Sequence, residues 1–338
     1  ELGHGSFSVV YNVIHQSTGQ TYAMKAISKK RYSRNKFLLR NLNNEVAIQK
    51  IVNHPNVVTS KYTFSDKNYH YLVLEYCPGK SIRDYLNKSL NCHLNEPETR
   101  KIIKDVIQGL IYIHSQQITH YDIKLENFII DSRGNVKIGD FGFSSFSQNE
   151  KGKKFEIFGS LNYISPEMLR KEDREESQKV DVWAIGVSTF ILLTGKPPFE
   201  GETKEMTFRN ILNGNFRFPL NFPISENAKD FVRMIQQSDP RKRPAAKDLL
   251  YHPFLTKIDK ETVILYRSNF LPPIKSEPKT SQKVQMEAPQ VNNKNDLQNE
   301  TKEELKPVCS PTLNDHKTIS PKQPNSNLKP VCCPPPNC

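Results

Sequence analysis

The 338-residue chain is 36% hydrophobic and 25% charged, so it can bury at least one substantial core, and we expect a soluble globular protein. Its longest apolar run, residues 182–193, is too short for a bilayer, so no membrane span is expected. Residues 258–338 carry eleven Lys/Arg and nine Asp/Glu, so +10 of the formal net charge of +12 belongs to residues 1–257. The basic runs lack interleaved aromatic residues, which favours phosphate-bearing or acidic partners over nucleic acid.

The first residues of the chain and its cysteines indicate where in the cell the protein belongs and whether the sequence is a fragment. It begins Glu1-Leu2-Gly3 with neither Met nor an apolar leader, so we expect a piece of a longer protein. Its six cysteines form no C-x-x-C pair and have no His at metal-ligand spacing, which favours a reducing compartment. We therefore expect an intracellular protein of the cytoplasm, the nucleus or both.

The first ten residues predict a glycine hairpin. Gly3 and Gly5 lie among β-branched residues, and the strand-like stretch Thr21-Tyr22-Ala23-Met24 follows and ends at Lys25. A glycine hairpin lets backbone N–H groups approach phosphates without interference from Cβ atoms. A dinucleotide-binding fold is disfavoured, because its glycine fingerprint opens a helix.

A helix and a strand are predicted next. Apolar residues recur at helical spacing over residues 35–52, with Glu45 among them, and a carboxylate on this helix would hold the Lys25 ammonium in place. Residues 69–79 predict a β-strand that ends at a Pro-Gly breaker. A second helix over residues 98–115 leads the chain to His120.

The stretch His120-Tyr121-Asp122-Ile123-Lys124-Leu125-Glu126-Asn127 concentrates chemistry in eight residues. The Asp122 carboxylate can accept the proton of an attacking hydroxyl, Lys124 can neutralise a transferring phosphate, and the Asn127 oxygen can hold magnesium. An ordinary polar loop is the alternative for such an isolated octapeptide. Two short strands then lead to Asp140-Phe141-Gly142, a triplet that by itself would also fit a turn.

Taken in order, these segments resemble the eukaryotic protein kinases. The octapeptide matches the catalytic loop H-R-D-x-x-x-x-N, and the triplet at Asp140 matches D-F-G at the spacing the family requires. Three further segments fit the pattern: Tyr22-Ala23-Met24-Lys25 resembles V-A-I-K, Ser165-Pro166-Glu167 resembles A-P-E, and His252-Pro253-Phe254 marks the usual end of the domain. The resemblance implies an α+β bilobal fold over residues 1–257, with a small β-rich N-lobe (1–76) whose first strand is truncated and a larger, mostly helical C-lobe (77–257).

The resemblance also implies a function. It predicts a serine/threonine protein kinase that transfers the γ-phosphoryl of Mg-ATP to Ser/Thr hydroxyls of protein substrates. Asp122, Lys124 and Asn127 would be catalytic, and Asn127 and Asp140 would hold Mg²⁺. Lys25 would bind the α- and β-phosphates with Glu45 as its partner. Further nucleotide contacts are implied for Leu2, Gly3, His4, Gly5, Ser6, Phe7, Ser8, Val9, Val10, Ala23, Leu74 as gatekeeper, the backbones of Glu75 and Cys77 toward adenine, and Ile129.

Other positions indicate the type of kinase and the residues that support the site. Lys124 together with Ser160 points to Ser/Thr specificity, and Ile123-Lys124-Leu125-Glu126-Asn127 with Asn162-Tyr163-Ile164 is similar to the calmodulin-dependent/AMP-activated group, the latter segment also to polo-like kinases. The resemblance implies that Asp181 braces the catalytic loop and that Arg243 pairs with Glu167. It also implies that Glu126 attracts a basic substrate residue, although Ser81 stands where such kinases often carry an acid.

Two departures from the family pattern leave an alternative open. Tyr121 replaces the Arg before the catalytic Asp, and Ser8 replaces the third loop glycine. A pseudokinase scaffold that signals by binding alone is therefore the second hypothesis, although the reactive set is present. Tyr121 cannot pair with a phosphorylated Thr, and Glu156 occupies the position where that Thr commonly lies. We predict basal activity without phosphorylation there.

The composition changes after Lys257. Residues 258–338 are rich in Pro, Asn and Lys and contain only two aromatic residues, Tyr266 and Phe270. Such a segment cannot bury enough apolar surface to offset its ordering entropy. We expect a mostly disordered tail through which regulatory partners act.

Overall fold

The computed structural model describes residues 1–4, 8–32, 36–89, 92–149, 160–172, 177–220 and 222–257. The expected disordered tail, residues 258–338, lies outside the described residues, as do Gly5, Ser6, Phe7 and Glu156. None of the described helices combines the length and apolarity needed to cross a membrane.

The N-terminal part is built on a five-stranded antiparallel sheet in the order β1-β2-β3-β5-β4. Two helices, α1 and α2, connect β3 to β4, and α2 confirms the helix predicted over residues 35–52. Leu42 on α2 packs with Ile27 and Leu72 of the sheet. The bounds are β1 Gly3–His4, β2 Ser8–Ile14, β3 Thr21–Ser28, α1 Lys29–Tyr32, α2 Lys36–Ile51, β4 Ser60–Ser65 and β5 Tyr69–Glu75.

The register of the sheet decides where Lys25 points. Lys25 pairs with Leu72, and Ile27 and Leu72 both contact α2. Because alternate residues of a strand share a face, Lys25 lies on the side of the sheet that α2 covers. The sheet and α2 therefore direct the Lys25 ammonium toward the helix that carries Glu45.

The C-terminal part is mostly helical, as expected. Its central helix α6 is buried along almost its whole length, and Trp183 and Phe199 stack in its core at 5.2 Å. Two small antiparallel ribbons, β6 with β9 and β7 with β8, flank the predicted catalytic loop. The bounds are α3 Ile82–Lys88, α4 Glu96–Ser115, β6 Ile118–Thr119, β7 Phe128–Ile130, β8 Val136–Ile138, β9 Ser145–Phe146, α5 Pro166–Arg170, α6 Lys179–Thr194, α7 Lys204–Asn213, α8 Glu226–Ile235, α9 Ala246–Leu249 and α10 Pro253–Thr256.

The segment after α2 docks onto β8 and α4 and so fixes the two parts together. Asn56 accepts the backbone N–H of Ile138 at 2.9 Å, and its side chain donates to the Val136 carbonyl at 2.9 Å. A Cβ atom on Gly109 of α4 would lie 2.5 Å from the Asn56 carbonyl oxygen, so only glycine permits this approach. This docking positions Asp140, two residues beyond β8, relative to α2.

Candidate active site

The first cluster joins the sheet, α2 and the segment after β8. The Lys25 ammonium lies 2.5 Å from Glu45 Oε1 and 2.8 Å from Asp140 Oδ1. Burial disfavours the charged lysine, but the carboxylates of Asp140 and Glu45 outweigh it and raise the Lys25 pKa above its ordinary value. The Lys25 charge in turn lowers the Asp140 pKa to about 2. The predicted Lys25–Glu45 partnership is thus present as an ion pair.

The second cluster lies on the predicted catalytic loop. Lys124 Nζ is 2.7 Å from Asp122 Oδ2, and Asn127 Nδ2 donates to the same oxygen at 3.0 Å and to the Asp122 carbonyl at 2.8 Å. Burial raises the Asp122 pKa, while the Lys124 charge opposes that shift. Lys124 also donates to Ser160 Oγ at 3.1 Å. A carboxylate and an ammonium therefore lie together beside Ser160, the residue before the short turn Leu161–Tyr163.

A buried carboxylate on α6 holds the loop backbone. Asp181 accepts the N–H groups of His120 and Tyr121, both at 2.8 Å. Tyr121 has a φ of 65°, a left-handed conformation that is unfavourable for a tyrosine and persists only where the surroundings impose it. Asp181 and the packing of the Tyr121 ring supply that constraint. The predicted brace is present.

His120 links the loop to the segment of Asp140. Its Nδ1 accepts the Asp122 N–H at 3.2 Å, and its Nε2 contacts the Gly139 carbonyl at 3.1 Å. Because a carbonyl only accepts, Nε2 carries the proton and Nδ1 does not. Burial lowers the His120 pKa, which agrees with this neutral tautomer. The His120 ring therefore links Asp122 to the chain that leads into Asp140.

A backbone hydrogen bond joins the segments that carry the two predicted magnesium ligands, Asn127 and Asp140. The Gly139 N–H donates to the Asn127 carbonyl at 2.9 Å. The Asp140 side chain is 50% exposed, and the Asn127 amide nitrogen is engaged with Asp122, which directs its amide oxygen away from that carboxylate. Magnesium is commonly held by one or two protein oxygens together with substrate phosphates, so this donor set fits the ion.

The other predicted nucleotide contacts lie on the sheet, just after β5 and on β7, or outside the described residues. Ala23 and Leu74 face each other across β3 and β5, and they share the Lys25 side of the sheet. Cys77 follows β5 as a half-buried thiol whose pKa burial raises to about 12, so it remains a protonated packing group. Gly5, Ser6 and Phe7 lie outside the described residues. The described remainder comprises Leu2, Gly3, His4, Ser8, Val9 and Val10 on or beside β1 and β2, Glu75 at the end of β5, and Ile129 on β7.

The Glu75 side chain holds the end of β5 in place. Its Oε1 accepts the Thr59 N–H at 2.8 Å and lies 3.1 Å from Lys137 Nζ. These contacts fix the end of β5 against β8. The nucleotide contact predicted for Glu75 involves its backbone and is compatible with them.

A network that no sequence motif indicated lies beside the predicted catalytic loop. Arg83 on α3 donates from Nε to Glu126 Oε1 at 2.8 Å and from Nη2 to the Tyr163 hydroxyl at 3.2 Å. The Glu126 carboxylate is therefore already paired, which changes the expectation that it attracts a basic substrate residue. Ser81, the other position considered for that role, caps α3 by accepting the Asp84 N–H.

The predicted pair between Arg243 and Glu167 is buried and bidentate. The two guanidinium nitrogens lie 2.6 and 2.7 Å from the two carboxylate oxygens, and the side chains are 0% and 1% exposed. Arg243 also covers the Trp183 ring at 4.9 Å. The pair therefore joins α5, near the Ser160 segment, to the core around α6.

Comparison with known proteins agrees with this geometry. The protein kinase domain profile matches residues 1–255. Serine/threonine-protein kinase PLK4 of Danio rerio is 35% identical over 76% of this chain, which spans only 27% of that protein. The cell cycle serine/threonine-protein kinase CDC5/MSD2 of Saccharomyces cerevisiae is 35% identical over 74% of the chain and 35% of its own length.

A third relative is matched over more of its length. Death-associated protein kinase 2 of Mus musculus is 34% identical over 80% of this chain and 74% of that protein. The similarity to polo-like kinases inferred from the motifs agrees with these relatives. The sheet-based N-lobe, the helical C-lobe and the profile match together show that the chain belongs to the protein kinase domain family, and these relatives are serine/threonine kinases.

Proposed function

We propose that the chain is an active kinase that transfers the γ-phosphoryl group of Mg-ATP to Ser/Thr hydroxyls of proteins. The observation that carries the proposal is the arrangement of Asp122, Lys124 and Asn127 on one loop, linked by His120 and Gly139 to Asp140. Residues 1–257 would form the catalytic domain, with the lobes meeting at Tyr76 and Cys77, and residues 258–338 the tail.

Each polar group has an assigned task in this proposal. The acceptor oxygen forms its bond to the γ-phosphorus while the bond to the β,γ-bridging oxygen breaks, and Asp122 takes the hydroxyl proton. Lys124 and Asn127 both contact Oδ2 of the Asp122 carboxylate, so we assign Oδ1 to the hydroxyl. Lys124 stabilises the charge on the transferring group, and Lys25 binds the α- and β-phosphates. Asp140 and Asn127 would hold Mg²⁺, which neutralises phosphate charge.

A scaffold that binds without transfer is the competing proposal. It would require the reactive groups to be absent or misplaced. Lys25 is instead paired with Glu45, and Asp122 lies within hydrogen-bond distance of Lys124, which favours the active enzyme.

Asp140→Asn tests the metal assignment. We expect weaker Mg²⁺-dependent nucleotide binding, because the variant loses a carboxylate whose pKa of about 2 keeps it ionised at neutral pH. Titration of ATP at several Mg²⁺ concentrations measures this directly. Equal magnesium dependence in variant and parent would remove Asp140 from the metal site. Asp131→Asn, a change on the turn between β7 and β8, serves as the matched control.

Unphosphorylated protein should retain basal activity. Tyr121 is 6% exposed and packs with Ile164, Met168 and Val180, so apolar contacts join the catalytic loop to the segment after Ser160. An arginine at this position would need an anion as its partner, whereas the tyrosine ring does not. Glu156, the other basis for this expectation, lies outside the described residues.

Phosphatase-treated protein, verified by mass spectrometry, should therefore phosphorylate a good peptide. The idea fails if activity disappears and returns only with phosphate on Ser144, Ser145, Ser147 or Ser160.

A further inference from the structure

An acidic side chain stands beside the proposed catalytic base. Glu126 lies on the turn between Lys124 and Asn127, and both of these residues contact the Asp122 carboxylate. Its own side chain is 44% exposed. When the hydroxyl of a peptide reaches Asp122, the neighbouring residues of that peptide must pass the exposed surface at Glu126. An uncompensated Glu126 would therefore select a basic residue in the peptide.

Arg83 compensates that charge. Its Nε donates to Glu126 Oε1 at 2.8 Å, and the Arg83 side chain is only 26% exposed. Burial opposes the guanidinium charge, but the hydrogen bond to Glu126 and the neighbouring Tyr163 raise the Arg83 pKa, so the residue stays charged. The surface beside Asp122 thus carries the positive charge of Arg83 and the negative charge of Glu126 in direct contact.

Two further contacts keep Arg83 in this place. Its Nη2 donates to the Tyr163 hydroxyl at 3.2 Å, and the same hydroxyl accepts the Leu125 N–H at 3.5 Å. Arg83 also lies in the first turn of α3, which Ser81 caps through the Asp84 N–H. The guanidinium is therefore fixed from both the Glu126 turn and the Tyr163 segment, and it does not depend on a substrate for its position.

We propose that Arg83 is a specificity-determining residue that cancels the attraction of Glu126 for basic side chains. The substrates then carry no required charge at the peptide position that meets Glu126. This inference rests on the proposed kinase activity. A single exposed charge pair alters binding by about two- to fivefold, so releasing either partner should change selection by that factor.

The experiment is a positional-scanning peptide assay on four forms of the full chain: the parent, Arg83→Met, Glu126→Gln and the double variant. Met keeps much of the apolar stem of Arg without its charge. We expect the parent to show no preference for charged residues at the peptide position that meets Glu126. Arg83→Met should gain an about two- to fivefold preference for Lys or Arg there, Glu126→Gln a similar preference for Asp or Glu, and the double variant should return to the parent profile.

Two controls separate specificity from damage. Arg233→Met removes a charge from α8, where Arg233 pairs with Glu226, and it should leave the profile unchanged. Thermal unfolding identifies any variant that fails to fold. If Arg83→Met fails to fold, Glu126→Gln still tests the inference, because Glu126 is 44% exposed.

Two results would overturn the inference alone: a parent that already prefers Lys or Arg at this position, or folded single variants whose profile matches that of the parent. A parent that transfers phosphate to no peptide would overturn the proposed kinase activity, and this inference with it.

Discussion

Asp122→Asn should lower turnover by about 10²- to 10⁴-fold, the range typical for loss of general base catalysis, and leave Mg-ATP affinity almost unchanged. The side chain keeps its shape, and Asn127 and Lys124 stay beside it, but an amide cannot take the hydroxyl proton. The Asp122 carboxylate has no assigned role in binding the nucleotide, so the effect belongs to kcat. Steady-state assays with a peptide, together with separate nucleotide titrations, measure the two quantities.

The same variant has a structural risk, because the amide nitrogen can face the Lys124 ammonium that lies 2.7 Å from Oδ2 in the parent. Thermal unfolding of Asp122→Asn distinguishes a lost base from a disturbed loop. Near-normal activity in a folded variant would show that this loop does not carry the base.

Arg243→Ala should destabilise the C-lobe by about 3–5 kcal/mol, because it leaves the buried Glu167 carboxylate without its partner. The guanidinium contacts both Glu167 oxygens, the Gln237 carbonyl at 2.8 Å and the Lys179 carbonyl at 3.0 Å. Its removal also uncovers one face of Trp183. Urea unfolding followed by circular dichroism measures the loss.

Arg241→Ala provides the matched control two residues away. Its side chain is 79% exposed and pairs with Asp239, so only an ordinary surface ion pair is lost, and such pairs contribute little to stability. The buried-pair account predicts a clear difference between the two variants. A loss for Arg243→Ala no larger than that for Arg241→Ala would contradict it.

The proposed catalytic residues could be named from the sequence because short local patterns carry them. Asp122, Lys124 and Asn127 lie within six residues, and Asp140 follows at a fixed spacing, so the sequence alone brings them into one hypothesis. The pairing of Lys25 with Glu45 spans twenty residues and followed from the family resemblance. The 2.5 Å contact between Lys25 and Glu45 confirms the pairing itself, while its catalytic role remains a proposal.

Other features left no local signal. Arg83 and Glu126 are 43 residues apart, and only the tertiary fold brings the first turn of α3 beside the catalytic loop. The edge strand β4 was missed because its alternation rests on Tyr62 and Phe64 alone, and both rings are more than half exposed. The ribbon formed by β6 and β9 has two residues in each strand, which is too short for periodicity to indicate a strand.

The most direct test of the account is transfer of labelled γ-phosphate from Mg-ATP to a Ser/Thr peptide library by the unphosphorylated full chain, with Asp122→Asn measured in parallel. We predict label on serine and threonine with the parent, and almost none with a variant that still binds Mg-ATP. Nucleotide binding by the parent without transfer to any peptide would contradict the central claim and support a binding scaffold.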